Sequence, residues 1–289
     1  GPIQRSGDFF DQIEKKRNVG WNTFAPGIQM FVFGLFKKIV LADRLSVFVN
    51  QVYDTPLAFG SLTVLLATVA YSLQIYFDFS GYSDMAIGVS KILGIDLPRN
   101  FNLPYLAHNV TELWKRWHIT LSSWLQDYIY ISLGGNRKGK IRTYINLILT
   151  MVIGGIWHGA NWTYIVWGLL HGIALAVHKV WMTLTGSSSK KHSTAANIVS
   201  ICLTFLFTTF CWIFFRAESL SKALIIIKRI FSFKSGLEQP YMWFIIAAVI
   251  LVIASVIAFV KTNKNPTQKP IKRTNVSMVD GYYPIVNLT

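Results

Sequence analysis

The sequence predicts an all-α, polytopic integral membrane bundle with tilted, broken and interfacial helices, and three observations carry that prediction. Only 14% of the 289 residues are charged and 52% are hydrophobic, whereas an ordinary soluble domain is about 25% charged. The stretch from Thr143 to His178 contains no Asp, Glu, Lys or Arg, the composition of a chain whose solvent is lipid. Strand signals are weak, and the many ~10-residue alternating segments that a membrane barrel needs are missing. A mean hydropathy of +0.41 agrees. No segment has the polar balance of a separate soluble domain, so residues 1–289 read as one membrane-embedded domain.

Residues 1–23 are polar and mixed in charge, a surface segment. From Phe24 to Val49 an apolar pattern is interrupted by Lys37, Lys38, Asp43 and Arg44. That pattern suits a tilted or interfacial helix, or one whose charges face other helices. Thr55–Phe77 lacks formal charge and is long enough to span. Asp78 and Asp84 then intrude among aromatic and small residues, and Pro98 and Pro104 punctuate a loop. Residues 109–133 carry a Trp-rich helical pattern with Asn109 or Thr111 as N-cap and Glu112 in the first turn. Trp114, Trp117, Trp124, Lys115 and Arg116 suit a helix near headgroups or along a polar cavity.

As one helix, the uncharged run would extend roughly 54 Å, against ~30 Å of hydrocarbon. It must break, and Gly154, Gly155 and Gly159 are the expected place. A loop at GSSSKKHS, spans at Ser193–Phe215 and Gln239–Val260, and a polar tail from Lys261 complete the chain.

The net charge of +15 would raise nucleic acid as a partner in a soluble protein. Here the basic residues flank apolar runs, as loops facing an anionic cytoplasmic leaflet do, and nucleic acid is not expected. Cys202 and Cys211 lie nine residues apart in one apolar stretch, on opposite sides of a helix. Neither a local disulfide nor a shared metal is expected of them. Walker, G-x-S-x-G and H-E-x-x-H patterns are absent, so neither a serine triad nor a metal site is expected.

Candidate chemistry rests on histidines. His158, between Trp157 and Gly159 with Asn161 just beyond, is either a core ring bonded to a carbonyl freed by the glycine break or a functional group. A titratable ring beside irregular backbone in an apolar segment favours function, and an apolar surround favours the neutral imidazole a general base requires. His118 is the second candidate, against an interfacial ring bonded to a polar neighbour. His171, 13 residues beyond His158 and about 20 Å along a helix, shares a face with His178, and both read as bundle-packing or interfacial residues. His108 and His192 are assigned nothing. Asp78 and Asp84 either pair with basic residues of another helix or line a polar cavity.

Three blocks resemble the membrane-bound O-acyltransferase family. They are YFDFSGYSDMAIG at 76–88, NFNLPYLAHNVTELWKRWHITLSSWLQDYIYISLGGNR at 100–137 and GGIWHGANWTYIVWGLLHG at 154–172. The nearest branch is that of the bacterial alginate O-acetyltransferase and D-alanyl-lipoteichoic-acid transfer proteins. The resemblance implies a funnel or tunnel in a bacterial inner or plasma membrane, with His158 and His118 near mid-membrane as the catalytic pair. His158 would take the hydroxyl proton and His118 would orient it or stabilise charge. Trp157, Asn161, Arg116, Trp117, Asp78 and Asp84 would bind substrate. The donor would be acetyl-CoA or another acyl thioester, with no bound cofactor. The acceptor would be an extracytoplasmic polysaccharide or a partner that relays the group. Members of the branch carry helices before a GPIxR-like block and after it, so a chain opening on GPIQR is expected to be a fragment. D-alanyl transfer, a proton-relay transporter and a non-catalytic scaffold are the alternatives.

Overall fold

The computed structural model describes residues 2–15, 17, 19–186 and 193–238. The span expected at Gln239–Val260, the tail and most of the GSSSKKHS loop lie outside the described residues. Within them the chain is helical, with one isolated β-bridge between Phe59 and Leu237. Four helical stretches are long and apolar enough to cross a membrane: Trp21–Asp54, Ser61–Ile92, Trp162–Thr185 and Thr194–Arg216.

After a short surface helix α1 (Ser6–Glu14), α2 (Trp21–Phe36) runs through a π-helical turn at Lys37–Ala42 into α3 (Asp43–Asp54). Of the charges that interrupt this segment, Lys37 and Lys38 face another helix, one of the two alternatives the sequence left open. Lys37 Nζ lies 2.6 Å from Asp84 Oδ2, and Lys38 bridges Asp78 and, at 2.9 Å, Asp43. Both partner carboxylates stand on α4 (Ser61–Ile92), so the apolar pattern that stops at Phe77 does not end the helix there. Neutralising each charge across the α2–α4 contact removes most of the cost of carrying it into lipid.

The same contact is built on glycine. A Cβ on Gly34 would stand 2.5 Å from the Gly81 carbonyl oxygen, and one on Gly88 2.6 Å from that of Gly27. Small residues at seven-residue spacing on both helices let the backbones touch, the usual basis of helix association where burial from water gives no driving force.

Downstream, the Trp-rich segment is not one helix. It divides into α5 (Val110–Arg116), α6 (Ile119–Leu125) and a π-helical turn at Gln126–Tyr130. The uncharged run forms α7 (Lys140–His158) and α8 (Trp162–Thr185), antiparallel neighbours. The break falls at Gly159, while Gly154 and Gly155 remain helical. Gly155 serves close packing instead, its Cα facing the Tyr164 carbonyl, and Gly168 and Gly172 do the same against Met151 and Ile148. Finally α9 (Thr194–Arg216) and α10 (Leu220–Ile230) close the described fold. Cys202 is exposed and Cys211 buried on α9, on its opposite sides as the spacing requires.

The core is aromatic. Trp117 packs against Tyr76, Phe101, Tyr105 and Trp212, with ring centroids 5.0–6.4 Å apart. Trp212 in turn stacks on Trp167 at 5.8 Å and 19°. Each offset or edge-on pair contributes about 0.5–1.5 kcal/mol beyond its buried area. The cluster joins α4, the α5–α6 junction, α8 and α9.

Candidate active site

His118 sits at the α5–α6 junction, and its own backbone makes the break. It is in the left-handed region at φ 41° and ψ 55°, where a side chain with a Cβ is strained by about 1–3 kcal/mol. The neighbouring loop compensates. Ile119 N donates to the Asn100 carbonyl at 2.9 Å, and Asn102 N donates to the Arg116 carbonyl at 2.9 Å. The ring, 4% exposed, lies edge-on to Phe79 at 4.6 Å. Its Nδ1 is 3.0 Å from Asn100 Oδ1. Burial, and behind it the nearby His158 ring, push the His118 pKa down to about 3.

His158 is the last residue of α7. Gly159 follows at φ 157° with no room for a Cβ, which would stand 2.8 Å from the Tyr164 ring. Asn161 then starts α8: its side chain accepts from Thr163 N at 3.1 Å and donates through Nδ2 to the Glu218 carbonyl at 2.9 Å. The His158 ring is caged by Trp157, Tyr164, Trp167 and Phe215 at centroid distances of 5.0–6.3 Å. Trp167 and Phe215 both touch Trp212, which touches Trp117, so both histidine-bearing breaks abut one aromatic cluster.

The remaining expected residues are distributed around these two. Trp157 is 59% exposed beside His158, and Trp117 is buried next to His118. Arg116 is bound to Glu112 at 2.5 Å. Although burial pushes the Glu112 carboxyl up, hydrogen bonds from His108 and Arg116 and the Arg116 charge outweigh it and leave the group below the usual range. The Glu112 backbone donates to Asn109 at 2.8 Å, which makes Asn109 the cap, one of the two that the sequence offered. Asp78 and Asp84 take the pairing alternative, as described above. His171 accepts from Trp114 Nε1 at 3.3 Å, and His178 Nδ1 lies 2.8 Å from Thr111 Oγ1, consistent with packing roles. A cavity of about 290 Å³ opens beside the α5–α6 junction, walled by Trp114, Lys115, Ile119, Leu147, Met151 and Leu175; neither His118 nor His158 lines it.

Sequence reasoning missed Asn100 and Thr120, as well as the Trp167–Phe215 side of the cage. Asn100 stands in an irregular stretch with no periodicity to weigh it against, and only its polarity among apolar neighbours marks it.

Comparison with known proteins identifies the family. The sequence model described as MBOAT, membrane-bound O-acyltransferase family, matches residues 1–220. The chain belongs to that family. A peptidoglycan O-acetyltransferase of Helicobacter pylori is 45% identical over 230 residues, covering 79% of this chain and 43% of the relative. A probable alginate O-acetylase of Pseudomonas fluorescens is 41% identical over 281 residues, 95% of this chain and 54% of the relative. A teichoic acid D-alanyltransferase of Streptococcus thermophilus is 32% identical over 195 residues, 63% of this chain and 47% of the relative. The chain thus spans about half the length of the curated relatives it matches. Family membership and four candidate spans together make it part of a multi-pass bacterial membrane protein.

Proposed function

We propose that the full-length protein is an O-acyltransferase that moves an acetyl group from a thioester donor, acetyl-CoA, to a hydroxyl of an extracytoplasmic polysaccharide or of a partner that relays it. One observation carries the reading. Two histidines, each at a break between helices, are joined by one continuous aromatic network: the His158 ring packs on Trp167, and the His118 ring reaches Trp117 through Phe79 and Phe101.

Such a pair divides the work of acyl transfer. One ring takes the hydroxyl proton as the oxygen attacks the thioester carbon, help typically worth ~10²–10⁴ in rate. The other orients that ring or faces the charge that develops on the carbonyl oxygen. Exposed Trp157 supplies an apolar wall for the acceptor beside His158. Asn161 and Trp117 hold the two breaks in register, and Arg116 marks the α5 end of the donor side. Asp78 and Asp84 brace the wall through Lys38 and Lys37.

Acetyl is favoured over D-alanyl because the relatives named O-acetyltransferase or O-acetylase match at 41–45% identity and the D-alanyltransferases at 28–32%. Membranes containing the full-length protein should release free CoA from acetyl-CoA and incorporate acetyl into cell-wall or exported polysaccharide. His158→Ala should abolish both at unchanged protein level. A variant that acetylates normally would remove the role assignment, and wild-type membranes that release no CoA would remove the activity.

A further inference from the structure

We propose that Asn100 is a positioning residue that fixes the tautomer of His118 and thereby leaves Nε2 of that ring as a hydrogen-bond acceptor that orients His158. The reaction role rests on the acyl-transfer reading above; the tautomer stands on hydrogen bonding alone.

Asn100 is 1% exposed, so its amide must find partners inside the protein. Its Oδ1 lies 3.2 Å from the backbone N–H of Thr120, a group that can only donate. The Thr120 hydroxyl accepts from Ile3 N at 2.9 Å and donates to the same Oδ1 at 2.9 Å. At the other end of the amide, Nδ2 donates to Ser83 Oγ at 3.4 Å. A flipped amide would set its NH2 against the Thr120 N–H, so the carbonyl end faces Thr120 and His118.

His118 Nδ1, 3.0 Å from that oxygen, can then bond only by donating. A neutral imidazole has one N–H, and it is committed. Nε2 therefore carries the lone pair, and it makes no hydrogen bond among the described residues. Asn100 also holds the backbone of the junction, accepting from Ile119 N. Ring and main chain are thus clamped by one residue.

A neutral ring whose N–H is spent on Asn100 has nothing to donate to a developing oxyanion. Of the two tasks the resemblance implied for His118, orienting His158 and stabilising charge, only the first is open to it. During turnover its Nε2 accepts from an N–H of His158 and leaves the other nitrogen of that ring to take the hydroxyl proton as the oxygen bonds the thioester carbon. The C–S bond then breaks, and the same proton passes to the thiolate sulfur. Ester and thiol leave, and His158 returns to neutral. Asn100 thus acts on the reaction through the ring it holds.

The test uses the full-length protein in lipid nanodiscs, labelled with ¹⁵N-histidine. The His118 signals are identified by their loss in His118→Gln. A neutral ring protonated at Nδ1 and bare at Nε2 is expected. Asn100→Leu should scramble the tautomer and lower kcat for CoA release ~100-fold or more, with KM held within about twofold. Asn100→Asp, which keeps an acceptor oxygen in place, should restore at least a tenth of the rate. A wild-type ring protonated at Nε2, or Asn100→Leu with wild-type kcat, overturns the proposal. Should Asn100→Leu fail to fold, the wild-type ring state and the Asn100→Asp rate still decide it. A wild-type protein without thioester turnover but with the Nδ1–H ring removes the acyl-transfer reading and leaves the hold of Asn100 on the tautomer standing.

Discussion

The α5–α6 break at His118 and the α7–α8 break at Gly159 present a histidine to the same aromatic cluster by different means. At His118 the bend is made by the functional residue itself, in a left-handed conformation, and a polar cradle of Asn100, Thr120 and two backbone bonds holds it. At His158 the following glycine makes the bend, Asn161 restarts the helix, and rings rather than hydrogen bonds surround the imidazole. A polar cradle specifies which ring nitrogen bears the proton; an aromatic cage sets ring position without choosing a tautomer. The two histidines are accordingly suited to unequal tasks.

The largest effects should come from removing either ring. In the full-length protein, His118→Ala and His158→Ala should each lower thioester turnover by ~10²–10⁴. The double variant should be no slower than the worse single, because the rings act as a unit. Additive losses in CoA release would break the comparison by making the sites independent.

Next come the supports. Gly155→Ala would drive a Cβ into the Tyr164 backbone carbonyl, and Gly159→Ala would set one 2.8 Å from the Tyr164 ring at φ 157°, a backbone conformation that L side chains rarely adopt. Both overpack, by about 1–3 kcal/mol, and Gly155→Ala should lower the detergent melting temperature more. Gly159→Ala should lower activity as well as stability, since Tyr164 packs on His158. Equal losses of melting temperature would show that the strained turn matters as much as the backbone contact.

Acid should separate the two supports further. His118 is held neutral down to about 3 by burial, against an ordinary value near 6.5. Below that ordinary value the unfolded state takes up a proton that the folded state refuses. Stability therefore falls as pH drops from about 6.5 toward 3. His118→Gln should flatten the acid limb of a detergent unfolding series, and an unchanged limb would place the sensitivity elsewhere.

The smallest effect belongs to the surface pair near the second break. Lys222 and Glu218 lie 3.1 Å apart with Glu218 69% exposed. Lys222→Gln should change stability by about 0–1 kcal/mol and leave turnover untouched.

Much of this was legible in the chain. The span over Ser193–Phe215 is α9 within a residue at each end, because an uncharged 20-odd-residue run has few alternatives in lipid. A cap at Asn109 or Thr111 and a rupture among Gly154, Gly155 and Gly159 follow from residue chemistry that acts over three or four positions, and the fold selects Asn109 and Gly159. Continuation of α4 past Asp78 was not legible, since the cost of a carboxylate in that helix depends on lysines 40 and 47 residues away in sequence. The α5–α6 break escaped as well: nothing in ELWKRWHITLSSW forbids one helix, and the bend is held by bonds from the Asn100 loop.

Composition and local pattern alone determined that this chain is helical, lives in lipid and bends its uncharged run at a glycine. Those properties follow from backbone hydrogen bonding and from charges that lipid will not hold. Which carboxylates are neutralised, which ring nitrogen of His118 carries its proton and which aromatic rings enclose His158 were decided only by the tertiary structure. Each depends on partners far apart in sequence, whose meeting is fixed by packing rather than by anything a short window of residues contains.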